Sequence, residues 1–508
     1  MGDLSGSPRR KSLQRIEKEN SNQRLNRTLG PLQLTMLGVG STIGAGIYVM
    51  TGTAAANYAG PSILLSFIVA GVACLFTALS YGELASSMPV SGSAYTYAYV
   101  SMGERWAWAV GWLLLLEYGI SCAGVAAGFS GYAVSLLQDF GVHVPSALST
   151  TTLQVAFEGA SRHVAAGWRM DAVGAFSILA VSLLLVLGVR ESFKINALIV
   201  FLKVGVLALF VALGVWEVHP SYWTPFIPKY EGGFRFGFPG IFRAASVIFF
   251  AYVGFEAVST AAGEARNPRR DVPVGIVLSL IICTVVYMIV AAVLIGVVPW
   301  QTLDVSDPLA IAVNAMHQPW LALFVKLGAV IGLCSVLMGL LYAQSRIFFA
   351  MAEDGLLMPM FSKLHPRFQT PWIGSIVLGL GVALATAMLP IDIIGDLVSL
   401  GTAVAFGIVC FTVIWVRNKA PEIPRRFSVP WGGFTVRGIW LGYVPLLGIF
   451  FCATMVAPLC VDMILALYKG DPIPLLLLLA YAGIGWASYR FYGHVHSRLG
   501  REQREKAK

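Results

Sequence analysis

The residues best placed to do chemistry sit where the chain is most apolar. Gly38, Gly40, Gly44 and Gly46 fall within Gly38-Val39-Gly40-Ser41-Thr42-Ile43-Gly44-Ala45-Gly46-Ile47-Tyr48-Val49, inside an apolar stretch near 32–58 that is long enough to span a bilayer. Glycine weakens a helix interior by about 1 kcal/mol against alanine, so the spacing predicts an interruption rather than a plain spanning helix. An interruption frees backbone N–H and C=O groups, tolerated at membrane depth only where protein or a water-filled cavity receives them. The N–H groups around Gly44, Ala45 and Gly46 head the second half-helix, where the helix dipole favours an anion such as a carboxylate. Gly40 and Gly44 also satisfy the small-xxx-small pattern of close helix packing, so this run alone leaves both readings open.

A second interruption is predicted in Phe249-Phe250-Ala251-Tyr252-Val253-Gly254-Phe255-Glu256-Ala257, where a glycine and an acid interrupt an apolar stretch near 239–263. The carbonyls of Phe250, Ala251 and Val253 would accept from an ammonium group. Gly254 marks the break, and Glu256 caps or gates the second half of that helix. Paired interruptions in corresponding positions of two halves point to a transporter substrate site. Donors for a carboxylate facing acceptors for an ammonium fit an α-amino acid, its side chain directed toward the third, sixth and eighth stretches.

Two more charges lie mid-stretch, Glu117 in Leu115-Leu116-Glu117-Tyr118 and Lys203 in Phe201-Leu202-Lys203-Val204. A mid-bilayer charge costs at least about 2.5–3.5 kcal/mol on insertion scales, so each needs a partner or a water-filled cavity. Lys203 lies about 15 Å from either end of its stretch, beyond the reach of its own side chain. A lysine held out of water can exchange its proton, which makes Lys203 the candidate for coupling to a proton gradient, or for standing in place of a bound cation. A structural ion pair is the bland alternative for both. Arg243 and Lys326 lie near the ends of their stretches and are expected to snorkel.

Composition sets the elements that must position these residues. Hydrophobic residues make up 57% and charged residues 12%, about half the charged share of a soluble domain, and the mean hydropathy is +0.74. An all-α integral membrane protein follows, with spans expected near 32–58, 62–88, 104–136, 171–189, 193–214, 239–263, 273–298, 319–350, 373–389, 392–416, 438–460 and 473–492. The first and sixth open two inverted repeats of five. Residues 1–29 then form a tail, 30–416 the transport core, 417–492 two added spans and 493–508 a second tail. Alternate loops hold clusters such as Arg266, Arg269 and Arg270, or Arg417, Lys419, Arg425, Arg426 and Arg437. The opposite loops hold only Arg162, Arg169, Lys229, Arg235 and Lys469. The positive-inside rule places both termini in the cytoplasm. The net charge of +9 is therefore a matter of topology and gives no reason to expect nucleic acid. Residues 137–170 are expected to be polar and irregular, and Asp307-Pro308 to open a short helix in another outer loop, with Asp307 as its cap. The seven cysteines fall in apolar stretches without metal-ligand spacing. Neither a zinc-protease, a nucleophile-elbow nor a phosphate-loop motif occurs, and the first glycine run does not have dinucleotide-binding spacing. No enzyme, metal or cofactor is expected.

Taken together, Gly40-Ser41-Thr42-Ile43-Gly44-Ala45-Gly46-Ile47-Tyr48-Val49, Tyr81-Gly82-Glu83-Leu84, Pro89-Val90-Ser91-Gly92-Ser93-Ala94-Tyr95, Phe250-Ala251-Tyr252-Val253-Gly254-Phe255-Glu256, Glu264-Ala265-Arg266-Asn267-Pro268 and Ala352-Glu353-Asp354-Gly355-Leu356 resemble the amino acid–polyamine–organocation superfamily. Within it the chain looks most like cationic amino acid transporters and their bacterial relatives. The resemblance covers about residues 28–460. It implies the LeuT-type inverted repeat, alternating access, carboxylate binding by the backbone from Thr42 and Ile43 to Gly46, and amine binding at Phe250, Ala251 and Val253. It also implies that Lys203 matches a lysine which replaces sodium in proton-coupled relatives, and that Glu117 matches an acid lining the site. Two departures bear on specificity. Many eukaryotic cationic transporters have fourteen spans, and some relatives with neutral substrates carry a hydroxyl residue where Ala45 stands. The expectation is proton-coupled uptake of cationic or small neutral L-amino acids across the plasma membrane, the inner membrane in a bacterium. An exchanger or a non-transporting sensor is the alternative. Expected partners are the amino acid, protons and the bilayer, with a small membrane subunit left open.

Overall fold

The glycine run interrupts the first apolar segment where its spacing predicts. The computed structural model describes residues 29–88, 93–158, 161–188, 193–421, 423–425, 427–468 and 470–506. Helix α1 (Pro31–Thr42) opens with Pro31 in its first turn, where a missing N–H goes unmissed, and Gly30 N–H donates to Gln33 Oε1 (3.0 Å). It stops at Ile43, whose backbone is extended (φ −72°, ψ 95°). Helix resumes as α2 (46–59), its turns alternating between π and α geometry. Gly60, at φ +57°, turns the chain into α3 (Ile63–Ser87). A short helix not foreseen in the sequence, α4 (Ser93–Ser101), precedes α5 (Glu104–Asp139). Over Leu115–Ile120 α5 widens to π geometry, a distortion that recurs at functional sites, and Glu117 lies in it.

Part of the 137–170 loop is regular. Strands β1 (Leu153–Glu158) and β2 (Ser161–Ala166) pair antiparallel with Leu153 opposite Ala166. The alternation Leu153, Val155, Phe157 is a strand signal hidden by the polar composition around it. Helix α6 (Ala172–Val186) is capped by Asp171, which accepts from Gly174 N–H (2.8 Å) and Ser130 Oγ (2.6 Å). Helix α7 (Phe193–Gly214) carries Lys203. Helix α8 (Gly237–Ile248) runs through a tight 3-10 turn, Phe249–Tyr252, breaks at Val253-Gly254 and continues as the 3-10 helix Phe255–Glu264. Gly254 has φ +122°, a conformation open to glycine and costly for other residues.

The remainder comprises α9 (Pro268–Val297), α10 (Pro308–Ala315), α11 (Pro319–Glu353), α12 (Trp372–Met388), α13 (Ile391–Lys419), α14 (Tyr443–Tyr468), α15 (Ile473–Ser488) and α16 (Arg498–Lys506). A second hairpin, β3 (Gly433–Val436) and β4 (Ile439–Gly442), joins α13 to α14. Asp307 stands at the N-cap position of α10, yet its side chain makes no capping bond. Burial instead pushes its carboxyl up to about 6, against a Ser135 hydrogen bond and the Lys326 charge, which pull it down.

Among the described residues, nine helical runs are long and apolar enough to cross a membrane, α2 and α3 counting as one, and α6 and α12 are shorter apolar helices. Helix α9 packs on α3 and α1, α11 on α5 and α7, α12 on α6, and α13 on α14, around one large apolar core. Both described chain ends meet one end of this bundle. Leu29 N–H donates to Glu264 O (3.0 Å) and Leu29 O accepts from Arg266 N–H (2.8 Å). The buried Ser497 donates to Glu104 at the head of α5. Arg498 N–H donates to the carbonyl of Asp354 (3.0 Å), whose carboxylate accepts from Tyr95 on α4 (2.8 Å).

Candidate functional site

The two interruptions cross in contact. A Cβ on Gly46 would lie 2.2 Å from the Cα of Ala251, and one on Gly254 would lie 2.7 Å from the carbonyl carbon of Ser41. No side chain fits at either position without moving backbone. Tyr287 on α9 joins the breaks from the side, its hydroxyl 2.6 Å from Thr42 O and 3.0 Å from Ala251 O. The hydroxyl of Thr42 turns back to Gly38 O (2.7 Å) and leaves the gap to backbone. Ile43 N–H still reaches Val39 O (2.9 Å), while Gly44 O accepts from Ile47 N–H and Tyr48 N–H (both 3.2 Å). The N–H groups of Gly44, Ala45 and Gly46 therefore head the second half-helix. On the other side, Phe250 O accepts from Val253 N–H (3.1 Å) and keeps a second lone pair.

Lys203 finds its partners in the first break. Its ammonium donates to Gly40 O (3.0 Å) and Ile43 O (3.3 Å) from a side chain that is 1% exposed. Its stem runs over Gly332 of α11, where a Cβ would sit 3.0 Å from Lys203 Cγ. The charge is held by carbonyls that helix geometry has released, so the break and the lysine require one another.

Glu256 sits at the second break, with Glu117 beside it. Both are fully buried, and their carboxyls adjoin each other, that of Glu256 also meeting the Tyr118 phenol. Gly254 N–H donates to both carboxylate oxygens of Glu256 (3.1 and 3.0 Å). Among the described residues, the Glu117 carboxyl is met only by that of Glu256 beside it. The ring of Phe250 meets α5 at Gly124, where a Cβ would lie 3.2 Å from Phe250 Cζ and 3.2 Å from Ile394 Cγ2. Glu117 is two turns earlier, about 10 Å along the axis. The wall that Phe250 meets is thus apolar. Val49 faces Gly128 and Met50 faces Gly395.

Arg243 and Lys326 do not snorkel. Arg243 is wholly buried, 2.9 Å from Asp396 on α13 and 3.1 Å from Asp462 on α14, with its guanidinium 4.7 Å from the centre of the Tyr58 ring on α2. Lys326 is buried against Asp139 at the end of α5 (2.7 Å). Each cation is matched by acids from helices remote in sequence, and sequence reasoning sees only its own helix. Tyr287 was missed for a related reason: a tyrosine in an apolar helix carries no signal until the carbonyls beside it are known.

A bundle of apolar helices, two of them broken at one backbone-lined crossing, is the build of a membrane transport protein. Comparison with known proteins agrees. The family model described as Amino acid permease matches residues 29–480, and the chain belongs to that family, part of the superfamily its motifs resemble. It is 39% identical to a branched-chain amino acid permease of Bacillus subtilis over 97% of this chain and 98% of that protein. It is 38% identical to a methylthioribose transporter of the same organism over 98% of this chain and 100% of that protein. It is also 36% identical to the vacuolar cationic amino acid transporter 4 of Arabidopsis thaliana over 82% of this chain and 67% of that protein.

Proposed function

We propose that this permease carries L-amino acids into the cell by alternating access, driven by protons. The observation that supports this most is the contact between the two breaks, Gly46 against Ala251, which sets helix-terminal N–H groups opposite released carbonyls. In this reading the N–H groups of Gly44, Ala45 and Gly46, past Thr42 and Ile43, hold the substrate carboxylate, and the carbonyls of Phe250, Ala251 and Val253 hold its ammonium. The helices form twelve spans, α1 with α2 as the first and α8 with Phe255–Glu264 as the sixth. The first ten, over 30–416, form two inverted repeats, and α14 and α15 within 417–492 flank them. Both tails, 1–29 and 493–508, lie in the cytoplasm, and the protein resides in the plasma membrane, the inner membrane of a bacterium. Lys203 exchanges the coupling proton. In its charged form it holds the Gly40 and Ile43 carbonyls, and proton loss loosens the first break.

The apolar wall of Val49, Met50, Phe250 and Ile394 supports a neutral side chain, in keeping with the branched-chain permease among the relatives. A second reading draws on Glu117. Its buried carboxyl, beside that of Glu256 and about 10 Å along the helix from Phe250, suits a long cationic side chain, and relatives named for cationic amino acids favour that reading. Purified protein in liposomes decides between them. Uptake of labelled L-leucine, L-alanine and L-arginine is followed with and without an inward proton gradient. Faster leucine and alanine uptake under the gradient is expected, with the acceleration lost in Lys203→Ala. Arginine uptake that competes out the neutral substrates supports the second reading. Indifference to the gradient together with stimulation by internal amino acid would replace symport with exchange, and binding without flux would make the protein a sensor.

A further inference from the structure

Tyr287 touches both breaks with one atom. It is fully buried on α9, its ring set between Phe67 and Tyr252 (centroids 5.9 and 5.8 Å away). Its hydroxyl lies 2.6 Å from the carbonyl oxygen that ends α1, that of Thr42, and 3.0 Å from Ala251 O, in the last turn before Val253-Gly254. Both neighbours are carbonyls and can only accept, whereas a phenol brings a single O–H. One proton therefore serves two acceptors, each belonging to a different half of the repeat.

We propose that Tyr287 is a positioning residue of the transport cycle. It holds the two breaks in register through one shared hydrogen bond, and the ammonium of an arriving amino acid takes its place at Ala251 O. This rests on the reading that the Ala251 carbonyl receives the substrate amine. The exchange leaves no acceptor unmet. The ammonium brings three donors, Ala251 O keeps a partner throughout, and Thr42 O gains the hydroxyl undivided. Arrival of substrate at the second break is thereby felt at the first. Removing the hydroxyl should free Ala251 O for the amine and at the same time cut the link that makes the halves move together.

The test uses the full chain in proteoliposomes with labelled L-leucine, L-alanine and L-arginine. In Tyr287→Phe the KM of the transported amino acid falls about three- to tenfold, the worth of one hydrogen bond, and Vmax falls with it. A 3-fluorotyrosine installed at position 287, a stronger donor of nearly the same shape, raises KM instead, and it settles the matter if Tyr287→Phe does not fold. Tyr230→Phe is the control. Its hydroxyl donates to Gly233 O (3.2 Å) in the loop before α8, and its loss leaves KM unchanged. A KM that stays put in both position-287 variants, or that shifts equally in the control, overturns the positioning role while transport itself stands. Wild-type vesicles that take up none of the three amino acids defeat the underlying reading, and the role of Tyr287 with it.

Discussion

At the scale of single residues, the decisive feature is how each buried polar atom is met. The ammonium of Lys203 is met by Gly40 O and Ile43 O, so the charge seen in the sequence and the glycine run seen in the sequence are halves of one arrangement. Each signal was legible because it violates the rule that spanning helices are apolar and unbroken, though neither says that the two would meet. Tyr287 violates nothing and was not. Asp307 carries a prediction of its own. Its carboxyl is pushed up to about 6 from the usual 3.8 by burial. The folded protein then holds this proton more tightly than the unfolded chain, so ionising Asp307 works against the fold. The stability it leaves falls as pH rises from about 4 through about 6 and stays low above that. Asp307→Asn removes the effect. Melting in detergent should show the variant gaining on wild type at about pH 7.5 and losing most of that advantage near about pH 4. An advantage independent of pH would mean that the Asp307 proton is not bound to the fold.

At the scale of elements, the first half of the second broken helix is fastened to its surroundings by charge. Arg243 on α8 reaches α13 through Asp396, α14 through Asp462 and α2 through Tyr58. Withdrawing one member of a buried pair costs about 3–5 kcal/mol, because the remaining charge is left without a partner. Arg243→Met strands two carboxylates and should lower thermal stability by an amount of that order. Asp462→Asn should cost distinctly less, since the Asp462 side chain is 26% exposed and Asp396 still holds the arginine. The reverse order of losses in a melting series would show that Asp462 is the principal partner. The sequence suggested a snorkelling arginine because a helix read by itself has only its own ends to offer. Hairpin β1–β2 was obscured in the same manner, its three alternating apolar residues lying in a loop of polar composition. The breaks themselves were legible to within a residue or two, since Gly44, Gly46 and Gly254 stand where another backbone or side chain passes too close for a Cβ to fit freely.

At the scale of the molecule, the apolar periodicity foretold the helices, and the basic loops speak only to their proposed direction. Neither could foretell which helices meet, because that depends on shapes matched across hundreds of residues. The proposed orientation is open to a direct check. A single cysteine placed at Lys419 in a background without reactive cysteines should react with an impermeant maleimide only in inverted vesicles, and one at Trp216 only in intact cells. Equal labelling from both sides would reject the topology. The end of the bundle that holds Leu29 has a practical consequence for anyone handling this protein. Ser497 is inserted beside Glu104, and Arg498 is bonded to Asp354, whose carboxylate also secures Tyr95. A fluorescent reporter or purification handle fused to the C-terminus would hang from α16 directly beyond this junction, and any drag on it would act as a lever on α4, α5 and α11 together. Transport rates measured on such a fusion would describe the protein with a load on this junction.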